Sequence, residues 1–516
     1  MPEKLPDTQT TPTRARPHRR KIVMIGLDAA DLRFMQSSLQ SLPTLRRFLQ
    51  GKMIHSLQST ADLMAGSVWP TFYTGTLPAD HGIYHHLQWD PHSMCLRRVA
   101  ADWLYCEPFW YTLEQRGLQV VAVDVPMTFP PRLTQGIEVI NWGSHDQLSP
   151  FAAHPKWLEQ TIRQRFGSQH PMGAEIPVNK TPAELERIRA NLVAGAQRKG
   201  ELTRWLLENF PWDFFITVFG ECHRGGHILW PEGSAPQSMV SRTALLEVYQ
   251  AVDQALGQVL EAICWEDTTV ILFALHGMGP NTSQEHLVPK IMDRVNAHFS
   301  GTTQTLAASQ PAKGGQRSVF RLLRERLPAR LQNVVAQAVP VRLRDAVVNR
   351  AVTGGYVWQQ TPGLALLADL HGYLRFNLQQ REQHGMLASD SADFVAYKDL
   401  LYTGFHSFRI AESGAPLVKD VCFVSQEFSG HRSHYLPDVI VTWTGAPPAS
   451  RIQSDTLGPL TAELATGRGG NHSPEGFYII LHGSSGYEGG PFPTHIKDLA
   501  TLVLRQLTRP AEQTPA

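Results

Sequence analysis

Cysteine is scarce. The 516 residues contain five, Cys95, Cys106, Cys222, Cys264 and Cys422, odd in number, scattered, and nowhere in a CxxC pair. That spacing excludes a disulfide framework and a cysteine-built zinc site, and the expected compartment is the reducing cytoplasm. Excess charge is lacking too. With 47 basic residues against 46 acidic ones the formal net charge is +1, so no overall field draws the chain to a nucleic-acid polymer or an anionic membrane, and a charged partner must be held locally. Nor is there a membrane-spanning run. The apolar stretch Ile22–Leu27 is too short for a transmembrane helix or a signal-peptide core. Arg19-Arg20 matches the start of a twin-arginine export signal, but Asp28 and Asp31 interrupt the apolar segment that signal needs.

The length, by contrast, is ample for a large core. Residues 1–20, rich in Pro, Thr and Arg, read as a disordered basic tail, and 21–510 as one large domain with insertions. Short β-branched or aromatic runs recur between helical patterns: 21–27 (KIVMIGL), 120–125 (VVAVDV), 212–219 (WDFFITVF), 269–275 (TVILFAL) and 438–443 (DVIVTW). Near-continuous apolar strands belong to a sheet covered on both faces, so the expected class is α/β, a central and largely parallel sheet with helices on either side. Between Gln304 and Arg350 the pattern changes to Pro-broken segments, RSVFRLLRERLP and PVRLRDAVVNRAV, in which basic residues far outnumber acidic ones. An inserted helical cap is expected over 282–360, its charge a solvated face rather than a membrane-binding patch.

Residues suited to chemistry stand where these strands end. Asp28, in Gly26-Leu27-Asp28-Ala29-Ala30-Asp31, lies just past the first strand, where open α/β sheets bind ligands; an Asp in such a place also serves as a helix N-cap. Ser67, in Gly66-Ser67-Val68-Trp69-Pro70-Thr71, would sit at a helix start, where backbone N–H groups and the helix dipole favour an alkoxide and the phosphate it attacks. His223 and His227, four apart after the run 212–219, share a face of a helical turn at metal-ligand spacing. His276 beside Gly277 and His472 near Gly470 close two further junctions. Together these residues describe one converging metal site.

In this order the segments resemble the alkaline phosphatase superfamily, and within it the type I phosphodiesterases and nucleotide pyrophosphatases. The resemblance is carried by GLDAAD, TGTLPADHGI, VYQAVDQALGQVLE with VILFALHGM, HGYLRFNLQQREQHGML, and LPDVIV followed by GGNHSPEG. It implies an alkaline-phosphatase-like fold and two ions, zinc or alternatively manganese. One ion would be held by His223, His227 and His472, the other by Asp28, Ser67 and His276. The implied reaction is attack by the serine on a phosphate ester, a diester before a monoester, with a phosphoseryl intermediate that water hydrolyses. A small-molecule, glycan or lipid phosphoester is the implied substrate.

The chain departs from the family pattern at four places. His223 replaces the Asp of the DxxxH arrangement, giving a three-histidine set well suited to zinc. Leu275 replaces the Asp of an Asp-His pair and removes an anionic ligand from the second site. His86 stands for an Asn that donates a hydrogen bond to the phosphate, a role imidazole also fills. Counting back from Thr74-Gly75 without a gap puts the nucleophile position on Ala65, so Ser67 requires a local shift of two residues, with Thr71 as the alternative nucleophile. Two competing readings follow: a degenerate zinc protein that binds an anion without turnover, and a phosphotransferase. A sulfatase is excluded, since Cys106-Glu107-Pro108-Phe109-Trp110 lacks the arginine its motif needs. The group Trp89, Trp103, Tyr105, Phe109 and Trp110 is either a stacking platform or core, and Arg375, Asn377 and Arg381 either grip a distal anion or pair internally.

Overall fold

A computed structural model describes residues 20–167, 181–231, 236–301, 341–354, 356–464, 467–482 and 491–508. Residues 1–19 of the expected tail and the segment RSVFRLLRERLP lie outside the described residues. The runs read as strands do form them. An eight-stranded sheet is built from β1 (Lys21–Leu27), β2 (His55–Gln58), β3 (Val120–Val123), β4 (Ile137–Ile140), β5 (Ala152–His154), β6 (Phe214–Phe219), β7 (Thr268–Ala274) and β8 (Glu475–His482). Their order is β2-β8-β7-β1-β6-β3-β4-β5. The middle strands β7, β1, β6, β3 and β4 are parallel; β8 runs antiparallel to β7 and β2, and β5 to β4.

Side-chain alternation explains why the middle strands are largely apolar, with buried Thr217 and Glu138 partnered by Thr203 and Tyr111. Val23, Ile25 and Leu27 of β1 enter one core, beneath the helices Pro182–Asn209 and Pro236–Glu261. Ile22 and Met24 enter another, beneath Val68–Thr74, Phe109–Gln115 and Asp498–Thr508. With both faces covered, a polar side chain on either would lose its water without a partner. The longest helix starts where its sequence dictates: Thr181 and Glu184 form a reciprocal capping box, and Pro182 occupies the first turn, where its missing N–H costs nothing.

The run 438–443 has a different destination. Val439–Trp443 belongs to a four-stranded antiparallel sheet with Gly363–Leu366, Gly372–Phe376 and Val418–Phe423, outside the central sheet. Val439 and Val441 pack under the helices Val288–Phe299 and Ala392–His406, while Ile440 faces a further cluster. An apolar run reports burial on two faces and carries no label for its partner strands. The chain leaves the central domain after the strand Gly277–Pro280 and returns at Gly470–Ser473. The stretch 282–360 expected as a cap opens this longer excursion. Its helix Val341–Thr353 is tied down by Asp345, which accepts from Arg98 Nη2 at 2.7 Å, and by Asn349, which accepts from Leu96 N at 2.8 Å.

Both ambiguous groups resolve toward packing. Trp89, Trp103, Phe109 and Trp110 are buried core, and of the five aromatics Tyr105 alone is exposed. Arg375 is buried and donates to Glu382 (2.8 Å) and to the carbonyls of Leu436 (2.6 Å) and His434 (2.8 Å). Arg381 clamps Asp438, and Asn377 donates to the Trp358 and Thr361 carbonyls. Among the described residues no helix is long and apolar enough to cross a membrane.

Candidate active site

Because β7, β1 and β6 are parallel neighbours, their carboxyl ends open onto one edge, and the chain places a polar residue just beyond each. Of the two carboxylates after β1, Asp31 is the N-cap, accepting from Phe34 N at 2.6 Å. Asp28 instead faces the histidines. It is buried, and its Oδ2 lies 2.8 Å from His223 Nδ1 and 3.5 Å from His145 Nδ1. Its Oδ1 accepts from Trp69 Nε1 at 3.1 Å and lies 3.6 Å from His276 Nε2. Burial by itself would raise its pKa; the charges of His223 and His145 and the His223 hydrogen bond outweigh that and hold it well below the usual carboxylate range.

The helix Glu221–Leu229 begins two residues after β6 and brings His223 and His227 onto one face, Nε2 to Nε2 at 2.9 Å. His472 comes from the other side. Its strand Gly470–Ser473 pairs with Gly277–Pro280, Met278 opposite His472, and its Nε2 stands 3.2 Å from that of His223 and 3.0 Å from that of His227. The close approach depends on glycine: a Cβ on Gly470 would lie 2.3 Å from Gly226 O. Gly470→Ala is therefore expected to destabilise the fold by about 1–3 kcal/mol and to displace both histidines it separates, measurable as a lowered denaturation midpoint together with weakened metal binding.

The tautomers can be read from the partners. His227 Nδ1 faces the Gly470 carbonyl at 3.0 Å, which only accepts, so this nitrogen carries the hydrogen and Nε2 presents a lone pair. His223 Nδ1 faces the Asp28 carboxylate and is likewise the N–H. Two lone pairs thus converge at 2.9 Å, with the His472 Nε2 beside them. Such an arrangement repels itself unless a cation lies among the nitrogens. Three imidazoles on one tetrahedral zinc, with Zn–N of about 2.0–2.1 Å, stand about 3.3 Å apart, so the donor set fits with a slight opening. His227 and His472 are held well below the ordinary histidine pKa, each first by burial, then by the charge of neighbouring Arg468 for the former and of His276 for the latter. Neutral imidazole is the form that binds metal. A second group, Asp28, His223 and His276, also converges. His276 Nδ1 donates to Gly277 O at 3.1 Å and leaves Nε2 toward Asp28. Leu275 turns into the apolar core.

The two hydroxyls chosen as nucleophiles are engaged elsewhere in this structure. Ser67 is buried, its Oγ 2.7 Å from Met64 O and 2.8 Å from Thr60 Oγ1. Thr71 Oγ1 lies 3.0 Å from His81 Nε2; since His81 Nδ1 accepts from Ile83 N, Nε2 is the donor and the pair ties the helix Val68–Thr74 to the segment TGTLPADHGI that follows. The first turn of the helix Val68–Thr74 reaches Asp28 through Trp69. His86 is partly exposed at the rim, 3.5 Å from Asp146 Oδ1. Sequence reasoning missed His145 and Asp146. They lie on the loop after β4, where Gly143-Ser144-His145-Asp146 repeats the pattern of a histidine near glycine beyond a strand that marked the other ligands.

The family model for type I phosphodiesterase / nucleotide pyrophosphatase matches residues 22–390. No curated protein matches the sequence. Among solved structures, the chain is similar to murine ectonucleotide pyrophosphatase/phosphodiesterase 5, an inactive variant in complex with AMP, at TM-score 0.50 and 10% identity over 96% of this chain and 97% of that one. Phosphonoacetate hydrolase from Sinorhizobium meliloti 1021, in complex with phosphonoformate, aligns at TM-score 0.48 and 12% identity over 96% and 98%. The likeness to the murine protein concerns the fold alone.

Proposed function

We propose, from the premise that this chain belongs to the family of type I phosphodiesterases and nucleotide pyrophosphatases and is thus a phosphoric ester hydrolase, that it cleaves a phosphodiester of a small molecule, glycan or lipid in a zinc-dependent reaction, with manganese as the alternative ion. The observation that carries the metal dependence is the convergence of three imidazole Nε2 atoms, two of them lone pairs fixed by their Nδ1 partners. The ions, when bound, supply Lewis-acid polarisation of the phosphoryl oxygens and a water acidified toward neutral pH. Asp28 brings the one buried carboxylate among these ligands, and Trp69 orients it. His86, partly exposed and 3.5 Å from Asp146 Oδ1 through its Nδ1, is the residue proposed to stand against a phosphoryl oxygen. The five free cysteines support a cytoplasmic setting.

Ser67 is the proposed nucleophile, by its place at the start of the helix Val68–Thr74. A second reading, direct attack by water with no covalent intermediate, is favoured by the engagement of Ser67 Oγ with Met64 O and Thr60. The test is one assay series. Metal-stripped protein resupplied with zinc or manganese is offered an activated phosphodiester and the matching monoester, and metal-dependent cleavage with the diester preferred is expected. Failure of added metal to change the rate sinks the metal reading. Ser67→Ala is expected to lower turnover at least about 10³-fold while zinc stays bound if serine attacks; full activity in this variant removes Ser67 as the nucleophile, and full activity in Thr71→Ala as well assigns the attack to water.

A further inference from the structure

The two converging groups share one residue. His223 turns Nε2 toward His227 and His472 and Nδ1 toward Asp28. The two sides differ in what lies between the atoms. At Nε2 two lone pairs meet across 2.9 Å, and only a cation reconciles them. At Nδ1 a hydrogen lies on the 2.8 Å line to Asp28 Oδ2, the length of an ordinary hydrogen bond to a carboxylate, and no cation is needed. His223 is thus committed to the three-histidine group.

Without His223 the second group keeps two donors among the described residues. His276 Nε2 stands 3.6 Å from Asp28 Oδ1, an oxygen that already accepts from Trp69 Nε1 at 3.1 Å. His145 approaches the other oxygen, 3.5 Å from Oδ2, and completes no set with His276. Leu275 lies in the apolar core, and Ser67 Oγ is hydrogen-bonded to Met64 O and Thr60. A catalytic zinc takes three protein ligands. The three-histidine group meets that number and the second group falls one short.

Asp28 then has another use. It is buried, and its two oxygens are divided between Trp69 Nε1 and His223 Nδ1. Trp69 holds the carboxylate, and the carboxylate holds the imidazole with its Nε2 lone pair toward His227 and His472. The Gly470 carbonyl does the same for His227 through Nδ1 at 3.0 Å. A carboxylate behind a ligating imidazole orients the ring, fixes its tautomer and raises its basicity.

We propose that this chain holds a single ion, on His223, His227 and His472, in place of the two that the resemblance implies, and that Asp28 is a positioning residue acting on that ion through His223. The inference rests on the metal-dependent reading and sets its ion count. Three neutral imidazoles leave a zinc one of its four tetrahedral positions and no anionic ligand to offset its charge.

The test counts metal, with no need of turnover. Metal-free protein is titrated with zinc by calorimetry, and the bound ion is counted by elemental analysis after gel filtration. Wild type is expected to hold one ion per chain. Two ions overturn the proposal and leave the metal-dependent reading standing, whereas no ion overturns that reading and the proposal with it. Asp28→Ala is expected to keep the count of one with zinc affinity lowered about 10- to 100-fold. Asp28→Asn, whose amide oxygen still accepts from His223 Nδ1, is expected to fall between Asp28→Ala and wild type. Wild-type affinity in Asp28→Ala overturns the positioning role. X-ray absorption on zinc-loaded wild type needs no variant to fold: three imidazoles on each zinc are expected, and an average of two, as a second ion on His276 would give, overturns the proposal.

Discussion

Alanine at position 472 is expected to release the ion from the three-histidine site and to lower kcat/KM by a factor on the order of 10³. His472 is the informative choice because its Nδ1 makes no hydrogen bond and its Nε2 faces only the other two imidazoles. Removing it therefore breaks no scaffold contact, unlike removal of His227, which also costs the bond to the Gly470 carbonyl. A factor of 10³ corresponds to about 4 kcal/mol of lost transition-state stabilisation, and the effect should appear in kcat while the melting temperature of the metal-free protein stays near wild type. The measurements are bound zinc and kcat/KM on the activated diester. Zinc retained at wild-type affinity in His472→Ala would remove this histidine from the site.

The largest expected effect on stability lies at Lys199. Its ammonium and the Asp124 carboxylate are both buried and pair directly, and Trp142 stacks against the ammonium at 5.5 Å. Lys199→Met leaves a buried carboxylate without its counter-charge, which typically costs about 3–5 kcal/mol. The two backbone N–H groups that remain on Asp124 place the expected value toward the lower end. Adding Asp124→Asn should recover part of the loss, since the buried charge then disappears with its partner. Denaturant unfolding of the two variants checks the pair, and a single-variant loss under about 1 kcal/mol would show that the backbone alone stabilises the carboxylate.

Much of this was legible in the residues themselves. Beyond their first residues, Lys21 and Thr269, the runs KIVMIGL and TVILFAL have no polar position on either face, and only a strand covered on both sides accepts that. Asp28, His223, His227 and His276 were legible because each stands just beyond a strand or on one helical face, and parallel neighbours bring such ends together, while His472 lies in a strand of its own beside glycine. The sequence singled out Asp28 as the candidate ligand, with an N-cap as its ordinary alternative, and Asp31 follows the same strand. The cap bond to Phe34 N claimed one and the imidazoles claimed the other.

Ser67 and Thr71 show where local reasoning stops. Their position at a helix start is written in Gly66-Ser67-Val68-Trp69-Pro70, but the partner of a hydroxyl is set by what the fold brings within 3 Å, and here that is Thr60, Met64 O and His81. The run DVIVTW was a strand as expected, though in the second sheet, because hydrophobicity specifies burial and the pairing partner comes from chain topology. His145 passed unnoticed because its partner Asp28 is far from it in sequence and on another strand's end. By itself, the sequence determined which segments are buried and which side chains stand at strand ends, since periodicity and residue chemistry are local properties. Only the tertiary structure decided which of those side chains meet, because a lone pair acquires its meaning from the atom opposite, and that atom is chosen by strand order.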